Sequence, residues 1–235
     1  IQHKLELPTS IGCFALPYGC SGYVYGLGLG YGLLKAGIAK KILFLTADIP
    51  SKGIADNDLE LRSIFSDIAT ASLLTLDPSK PDTDFVYGTD GSGALDLYVE
   101  KSAYRKPLDP DFKLPENLVN GQMMMNGTNI FLFAVKKVPA LVNDILDKHH
   151  LSKEDIDLYV FHQASFFMLD VIRKKMKVPQ EKLFINIGEF GNSVSSSIPL
   201  ALHDAEKKGV LKRGMKVMLA GFGIGNSWGA TIINY

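Results

Sequence analysis

The segment PYGCSGYVYGLGLGYG (residues 17–32) has a cysteine at a turn, followed by glycines spread along an apolar stretch of helical period. Gly22, Gly26 and Gly30 recur every four residues and therefore share one face of the helix predicted over residues 20–36. Each glycine costs about 0.5 to 1 kcal/mol relative to alanine in a helix interior. Such a series indicates that something packs very close to this helix backbone, and the sequence predicts a helix enclosed between two sheets.

Cys20 lies where an apolar strand, predicted over residues 13–17, passes through Gly19 into this helix. A thiol at a helix N-terminus faces free backbone N–H groups and the positive end of the helix dipole, and both favour the thiolate. The same N–H groups can bind the oxyanion that forms when a thiolate attacks a carbonyl. A buried, inert cysteine remains the alternative. A dinucleotide-binding loop is disfavoured because the G-x-G-x-x-G spacing is not met.

Outside this segment, apolar runs of strand length alternate with longer stretches of helical period, which is typical of α/β proteins. Prolines and Asp/Gly pairs interrupt the pattern over residues 78–122, and we interpret this stretch as a middle insertion with short strands. The chain then divides into an N-terminal half that includes the insertion (residues 1–122) and a C-terminal half (residues 123–235). The other predicted strands are 41–47, 69–76, 158–161, 183–187, 216–220 and 230–234, and the other predicted helices are 129–148, 166–177 and 193–208.

Three further turns have polar or glycine residues where an apolar element ends. In LYVFHQAS (158–165), His162 follows a strand, and strand ends are where catalytic groups gather in α/β folds. In FGNSVSSSIPLAL (190–202), Asn192 precedes a helix, where capping is the simpler role. The glycine-rich turn AGFGIGNSWGA (220–230) either brings a backbone N–H to an active site or is an ordinary hairpin loop.

Composition excludes several functional classes. The 25 basic side chains balance the 25 acidic ones, so no general attraction to nucleic acid or anionic lipid is indicated. The two cysteines, Cys13 and Cys20, are too few for a disulfide framework, and their spacing fits no zinc site. Since no signal peptide and no membrane-length apolar run are found, we expect a cytoplasmic protein without a membrane partner.

Taken together in order and spacing, four motifs resemble the 3-oxoacyl-[acyl-carrier-protein] synthase III family of the thiolase superfamily. They are Cys20 in GCSGY, His162 in HQAS, Asn192 in GNSVSSSIPLAL, and the closing GFGIGNSWGA. The resemblance extends over essentially the whole chain and is weakest in the middle insertion. It implies an α/β fold with thiolase-like, duplicated α/β/α/β/α layers and central buried helices that begin near Cys20 and Ser193. It also implies a homodimer.

The resemblance further implies a Cys20–His162–Asn192 catalytic triad. Cys20 would take an acyl group from an acyl thioester, usually acyl-CoA, with the oxyanion bound by backbone N–H groups of Cys20, Gly223 and Ile224. A malonyl thioester on acyl carrier protein would then lose carbon dioxide, and His162 and Asn192 would donate hydrogen bonds to the enolate oxygen. The resulting carbanion would attack the acyl-enzyme in a Claisen condensation. No cofactor and no metal are implied.

Several positions depart from the family pattern. Ser165 replaces the usual asparagine of H-Q-A-N and would alter a pantetheine contact, and Phe167 replaces a frequent carrier-protein-docking arginine. Lys174 and Lys175 match basic docking positions but are equally compatible with a solvated helix face. After the turn at Gly127, Thr128 replaces an asparagine of the family and Phe131 agrees with it, and both are expected to bind substrate. In the closing turn, Ile224 replaces a glycine, and these changes together indicate a relative with its own substrate.

Family members carry a further N-terminal portion before the region that begins at Ile1, and we expect the native protein to be longer. Two alternatives to the synthase remain. The first is a thiolase-fold acyltransferase that loads Cys20 and passes the acyl group on without decarboxylation. The second is a non-catalytic partner subunit, for which an intact set of Cys20, His162 and Asn192 would be unnecessary.

Overall fold

A computed structural model of the protein describes residues 1–99 and 122–235. In chain order the elements are α1 (Gly22–Lys35), β1 (Lys41–Asp48), α2 (Leu59–Ile64), β2 (Ile68–Thr75), β3 (Phe85–Thr89), β4 (Leu97–Val99), β5 (Met123–Met125), α3 (Gly127–Lys148), β6 (Leu158–Phe161), α4 (Phe166–Met176), α5 (Ile187–Phe190), α6 (Ser197–Lys207), β7 (Lys216–Gly223) and β8 (Ser227–Asn234). None of the helices in these two ranges combines the length and apolar character needed to cross a membrane.

The largest sheet among the described residues has four strands in the order β3-β8-β7-β6. Strands β6 and β7 are parallel, whereas β7–β8 and β3–β8 are antiparallel. A separate antiparallel pair, β1–β2, runs in register from Lys41 opposite Thr75 to Asp48 opposite Ile68. Strands β4 and β5 form a third, short pair.

The four-stranded sheet is covered on both faces where its parallel strands β6 and β7 are buried at consecutive positions rather than alternating ones. In β6, Tyr159 and Phe161 pack with α3 and α4, while Leu158 and Val160 pack on the opposite face with α1 and α6. Fully burying a side chain of this size is worth about 1.5 to 3 kcal/mol. Burial on both faces therefore holds the sheet rigidly, and residues at the ends of its strands are held in fixed positions.

Helix α1 contacts both β1–β2 and β7–β8, so it lies between two sheets as its glycines predicted. A methyl group at Gly26 would overlap the Phe44 ring of β1, and one at Gly28 would overlap the Tyr87 hydroxyl of β3. A larger residue at either position requires the facing aromatic side chain to shift. Helix α6 occupies the equivalent layer between β2 and β6.

Two predicted strands were wrong. Residues 13–17 are exposed and have no regular secondary structure, and no described strand pairs with them to supply the backbone hydrogen bonds that define a strand. Leu183 forms a single bridge to Tyr159, after which the chain turns at Asn186 into α5 instead of continuing to residue 187 as a strand. The helix predicted over 193–208 begins as a short 3₁₀ turn, Val194–Ser196, before α6.

The predicted division of the chain at residues 122 and 123 stays a prediction. The middle insertion contributes β3 and β4, whereas its residues 100–121 lie outside the described residues. Strand β3 pairs with β8, so one strand from before the division joins the sheet of the C-terminal half.

Candidate active site

Four chain segments meet around a cavity of about 190 Å³, and each contributes one residue that lies next to or at the end of an ordered element. Cys20 precedes α1, His162 follows β6, Asn192 precedes the Val194–Ser196 turn, and Gly223 ends β7. All four line the cavity. Its other lining residues are mainly apolar and include Ile64, Phe65, Leu97, Met125, Ile130 and Met168. The arrangement places a thiol, an imidazole and an amide in one water-poor space.

Cys20 is buried and one residue before the N-cap of α1, Ser21. Burial raises the pKa of its thiol to about 11, and the charge of Asp48 acts in the same direction. Hydrogen bonds from the backbone of Ile224 and of Cys20 itself lower the pKa, but they do not offset burial. Backbone N–H groups therefore favour the thiolate as expected, but burial outweighs them in the resting protein. The thiol needs a proton acceptor before it can attack.

The closing turn fits against Cys20 more tightly than any side chain would allow. A β-carbon at Gly223 would lie 2.6 Å from Cys20 Cβ and 2.8 Å from Cys20 Sγ. Gly223 also has φ 151° and ψ −129°, a backbone region that is essentially restricted to glycine. This approach aims the backbone N–H of Ile224 at the thiol, as the hydrogen bond between them shows. The two N–H groups of Cys20 and Ile224 thus point at one sulfur.

Asn192 is held by the backbone of the N-terminal half. Its N–H donates to the Ile64 carbonyl at 2.8 Å, and its carbonyl accepts from the Ser66 N–H at 3.0 Å. The side-chain Oδ1 accepts from the Val194 N–H at 3.0 Å, and Nδ2 donates to the Ala164 carbonyl at 3.4 Å. Because the oxygen is committed to Val194, the orientation of the amide is set and its NH₂ is on the side of Ala164.

His162 is almost fully buried, with its ring edge-to-face on Phe222 at a centroid separation of 5.6 Å. The backbone N–H of His162 donates to the Ala220 carbonyl of β7 at 2.8 Å, which anchors the residue just beyond β6. Nδ1 lies 2.7 Å from the Ser197 hydroxyl. Burial lowers the pKa of the imidazole to about 3, although a hydrogen bond with the Val194 backbone acts the other way. The resting ring is therefore neutral.

The backbone of Val194 forms hydrogen bonds with both Asn192 and His162, and it is strained. Its φ of 52° is left-handed, which is unfavourable for a β-branched residue and costs on the order of 1 to 3 kcal/mol. Asp48 holds the next residue, since its carboxylate accepts from both the N–H (3.0 Å) and the hydroxyl of Ser195. The strain also explains why α6 begins later than the sequence predicted. It turns the Val194 N–H toward Asn192 and its carbonyl toward Ser197.

The predicted binding residues are divided between the cavity and the surface. Ser165 lines the cavity and also caps α4, accepting from the Met168 N–H at 3.1 Å. Phe131 lines the cavity and stacks on the exposed Phe167, with ring centroids 5.5 Å apart. Thr128 is exposed on the first turn of α3 and is not among the described cavity-lining residues.

The predicted docking lysines lie on the surface of α4. Lys174 pairs with Asp170 at 2.7 Å, and Lys175 donates to the Val135 carbonyl of α3 at 3.0 Å. Both side chains are at the surface, where such contacts contribute little to stability. Each lysine can therefore exchange its present contact for one with a partner.

Sequence reasoning missed Ser197 and Asp48, which contact the site residues from distant parts of the chain. Ser197 belongs to the quoted GNSVSSSIPLAL motif, but the sequence does not indicate which of its serines faces His162. Asp48 ends β1 and is 147 positions from Ser195, so only tertiary packing identifies it. Glu60 also lines the cavity and is the ionisable residue there for which no sequence signal was found.

The lowered pKa of His162 predicts acid sensitivity. Because its folded pKa lies below its unfolded value, the unfolded chain binds more protons in acid, and stability falls as pH drops below about 6.5. Between pH 7 and about pH 5, this single group should lower the free energy of unfolding by about 2 kcal/mol. Urea titrations of the wild type and His162→Gln at several pH values measure the difference.

The exposed His203 provides the control for this experiment. The His203→Gln variant should keep the wild-type pH dependence, whereas His162→Gln should lose about 2 kcal/mol of it. Equal slopes for wild type and His162→Gln would contradict burial of a neutral imidazole.

Comparisons with known proteins agree with this arrangement. The profile "3-oxoacyl-[acyl-carrier-protein (ACP)] synthase III" matches residues 14–91, and its C-terminal counterpart matches residues 146–235. Together they include every member of the proposed triad. The beta-ketoacyl-[acyl-carrier-protein] synthase III of Fusobacterium nucleatum is 33% identical over 237 residues, which cover 100% of this chain and 71% of the relative.

Solved structures give the same result at the level of the fold. A crystal structure of a 3-oxoacyl-(acyl-carrier-protein) synthase III superposes with a TM-score of 0.93 and 39% identity, covering 100% of this chain and 72% of that one. The beta-ketoacyl-[acyl carrier protein] synthase III of Thermus thermophilus superposes with a TM-score of 0.88 and 32% identity, covering 100% of this chain and 70% of that one. The predicted thiolase-like α/β fold is thereby confirmed. The chain belongs to the 3-oxoacyl-[acyl-carrier-protein] synthase III family.

Proposed function

We propose that Cys20 is the nucleophile of a beta-ketoacyl synthase III-type condensation, with His162 and Asn192 completing a catalytic triad. The observation that carries the proposal is the meeting of the Cys20 thiol, the His162 ring and the Asn192 amide at one apolar cavity. Sγ attacks the carbonyl carbon of an acyl thioester, and the thiol of the donor leaves. Backbone N–H groups of Cys20 and Ile224, with Gly223 permitting the close approach, bind the oxyanion of this step.

In the second half of the reaction, a malonyl thioester loses carbon dioxide and leaves an enolate. Its negative oxygen needs hydrogen-bond donors that do not carry a negative charge. The Asn192 Nδ2 group supplies one, since its Oδ1 is already committed to the Val194 N–H. His162 supplies the second through Nε2, because Nδ1 is occupied by Ser197. The enolate carbon then attacks the acyl group on Cys20 and releases the thiol.

The chemistry of the entrance supports thioester substrates with a flexible arm. Apolar residues such as Leu97, Met125 and Ile130 line the cavity and suit an aliphatic acyl group. Phe131 lines the cavity and stacks on the exposed Phe167, and the two rings offer apolar contact to a pantetheine arm. We propose acyl-CoA as the acyl donor, without a further cofactor, and acyl carrier protein as the malonyl carrier.

We further propose that Lys174 and Lys175 contact the acidic carrier protein and that the protein is a homodimer. The large apolar side chains exposed on β1 and β2 are consistent with a covered surface there, notably Leu43, Leu45 and Leu73. Light scattering coupled to size-exclusion chromatography measures the oligomeric state directly.

Release of carbon dioxide distinguishes this function from its main alternative. The protein is incubated with an acyl-CoA and with malonyl-acyl carrier protein labelled in the free carboxylate, and the released label is counted. A synthase releases carbon dioxide and forms a 3-oxoacyl product that mass spectrometry detects. A thiolase-fold acyltransferase loads Cys20 but releases no label. A non-catalytic subunit does neither.

Changing Asn192 to aspartate separates the two half-reactions. The carboxylate has nearly the same shape as the amide but repels the enolate, so decarboxylation should fall by at least about 100-fold. Acylation of Cys20 does not form an enolate and should stay within about tenfold of wild type. Acylation followed by intact mass on the same variant is the internal control, and equal losses in both steps would contradict the assigned role.

A further inference from the structure

Ser197 occupies a position from which it controls the hydrogen on His162. Its hydroxyl lies 2.7 Å from His162 Nδ1 and 2.9 Å from the Val194 carbonyl oxygen. Ser197 and His162 are each 1% exposed, so water does not provide an alternative partner. The ring also has a hydrogen bond with the Val194 backbone, so His162, Ser197 and the Val194 carbonyl form one buried group that shares few hydrogens.

Counting hydrogens decides which ring nitrogen is protonated. The Val194 carbonyl can only accept, and Ser197 has one hydrogen to give. If that hydrogen pointed at Nδ1, two oxygens would face each other at 2.9 Å with no hydrogen between them. If it points at the carbonyl, the hydroxyl oxygen is free to accept, and Nδ1–H donates to it. The second arrangement satisfies all three groups, and it places the hydrogen of the neutral ring on Nδ1.

We propose that Ser197 is a positioning residue that fixes His162 in the Nδ1–H tautomer, so that the bare Nε2 faces the cavity and accepts the proton of Cys20. The role of Nε2 as acceptor of the Cys20 proton rests on the proposed function. The tautomer itself is a property of the resting protein and does not depend on it. A proton acceptor is needed because the buried thiol, with its raised pKa, does not ionise by itself at neutral pH.

The proton then follows a closed cycle. During acylation, Nε2 takes the Cys20 proton, the Sγ–carbon bond forms, the donor carbon–sulfur bond breaks, and Nε2 passes the proton to the departing coenzyme A thiolate. The ring is then neutral again, as its low pKa requires, and Nε2 takes one proton from solvent when the negative charge of the enolate develops beside it. During decarboxylation, the carbon–carbon bond to the carboxylate breaks, and Nε2–H and Asn192 Nδ2 hold the enolate oxygen.

The cycle ends when the new carbon–carbon bond forms. The bond between Sγ and the acyl carbon breaks, the thiolate of Cys20 leaves, and it recovers its proton from Nε2. One proton from solvent is consumed in each turnover, which matches the loss of one carboxylate as carbon dioxide. The tautomer therefore makes one residue both the acceptor of the first step and the donor of the second.

Nitrogen NMR of the substrate-free protein tests the tautomer directly. Uniform ¹⁵N-histidine labelling with a long-range proton–nitrogen correlation distinguishes a protonated Nδ1 from a protonated Nε2. The His162→Gln variant identifies the signal among the five histidines. A protonated Nδ1 at neutral pH is expected, and a protonated Nε2 would overturn the proposal. This result does not depend on whether the protein catalyses condensation.

Two substitutions test the role of Ser197. In Ser197→Ala, Nδ1–H loses its hydroxyl acceptor, so the NMR signal should shift toward the other tautomer and acylation of Cys20 by acyl-CoA should slow about tenfold. Ser197→Thr keeps the hydroxyl and should restore both the wild-type spectrum and the rate. If Ser197→Ala leaves tautomer and acylation rate unchanged, Ser197 is not the positioning residue. If the tautomer shifts but acylation does not slow, the proton-acceptor role of Nε2 is wrong.

Discussion

Replacing Cys20 with alanine should abolish the acyl-enzyme and lower the rate of condensation by at least about 10⁴-fold. The reason is chemical rather than structural, because no other nucleophile among the described residues has Cys20's position before α1 with two backbone N–H groups directed at its sulfur. The small change in volume should leave the fold intact. Intact-mass spectrometry after incubation with a panel of acyl-CoA thioesters reads the adduct, and the preferred acyl group reports the substrate.

Cys13 provides a matched control for this experiment. It is a free cysteine seven positions earlier, but it is exposed and lies outside the cavity, so Cys13→Ala should acylate and condense like the wild type. An adduct that persists in Cys20→Ala but disappears in Cys13→Ala would show that Cys13, and not Cys20, is the nucleophile. An adduct in all three proteins would indicate non-specific acylation of other groups.

Replacing Gly223 with alanine is expected to have the second largest effect. The new methyl group would lie 2.6 Å from Cys20 Cβ, so either Cys20 or the turn that carries the Ile224 N–H must move. Displacement of about 1 Å, or loss of one oxyanion donor, lowers rates by about 10²-fold or more. The backbone conformation of Gly223 adds strain of on the order of 1 to 3 kcal/mol. Acylation kinetics and urea denaturation measure the two consequences separately.

Gly225 in the same turn separates the clash from the strain. It also has a positive φ, 68°, but nothing lies within 4 Å of the position that a β-carbon would occupy. Gly225→Ala should therefore lose about 1 to 2 kcal/mol of stability while acylation stays within a few-fold of wild type. If both variants lose acylation equally, the contact between Gly223 and Cys20 does not explain the effect.

The sequence predicted the positions of the reactive groups better than their chemical state. Cys20, His162 and Asn192 were each found where an apolar element ends, and the structure brings all three to one cavity. Backbone N–H groups favour the Cys20 thiolate as the sequence indicated, but this effect is local, and desolvation by everything packed around the sulfur outweighs it. The strand predicted over residues 13–17 was wrong for a similar reason. Its apolar pattern is correct, but a strand also needs a partner.

The order of apolar elements, the turns that interrupt them and the glycine face of α1 follow from the sequence alone. These features depend on residues that are close along the chain, since periodicity and turn chemistry act over a few positions. Only the tertiary structure decided that Asn192 is fixed by Ile64 and Ser66, and that His162 meets Ser197 35 positions away. Burial and hydrogen bonds between distant segments set the charge, the tautomer and the orientation of a side chain, and no local pattern records which segments will meet.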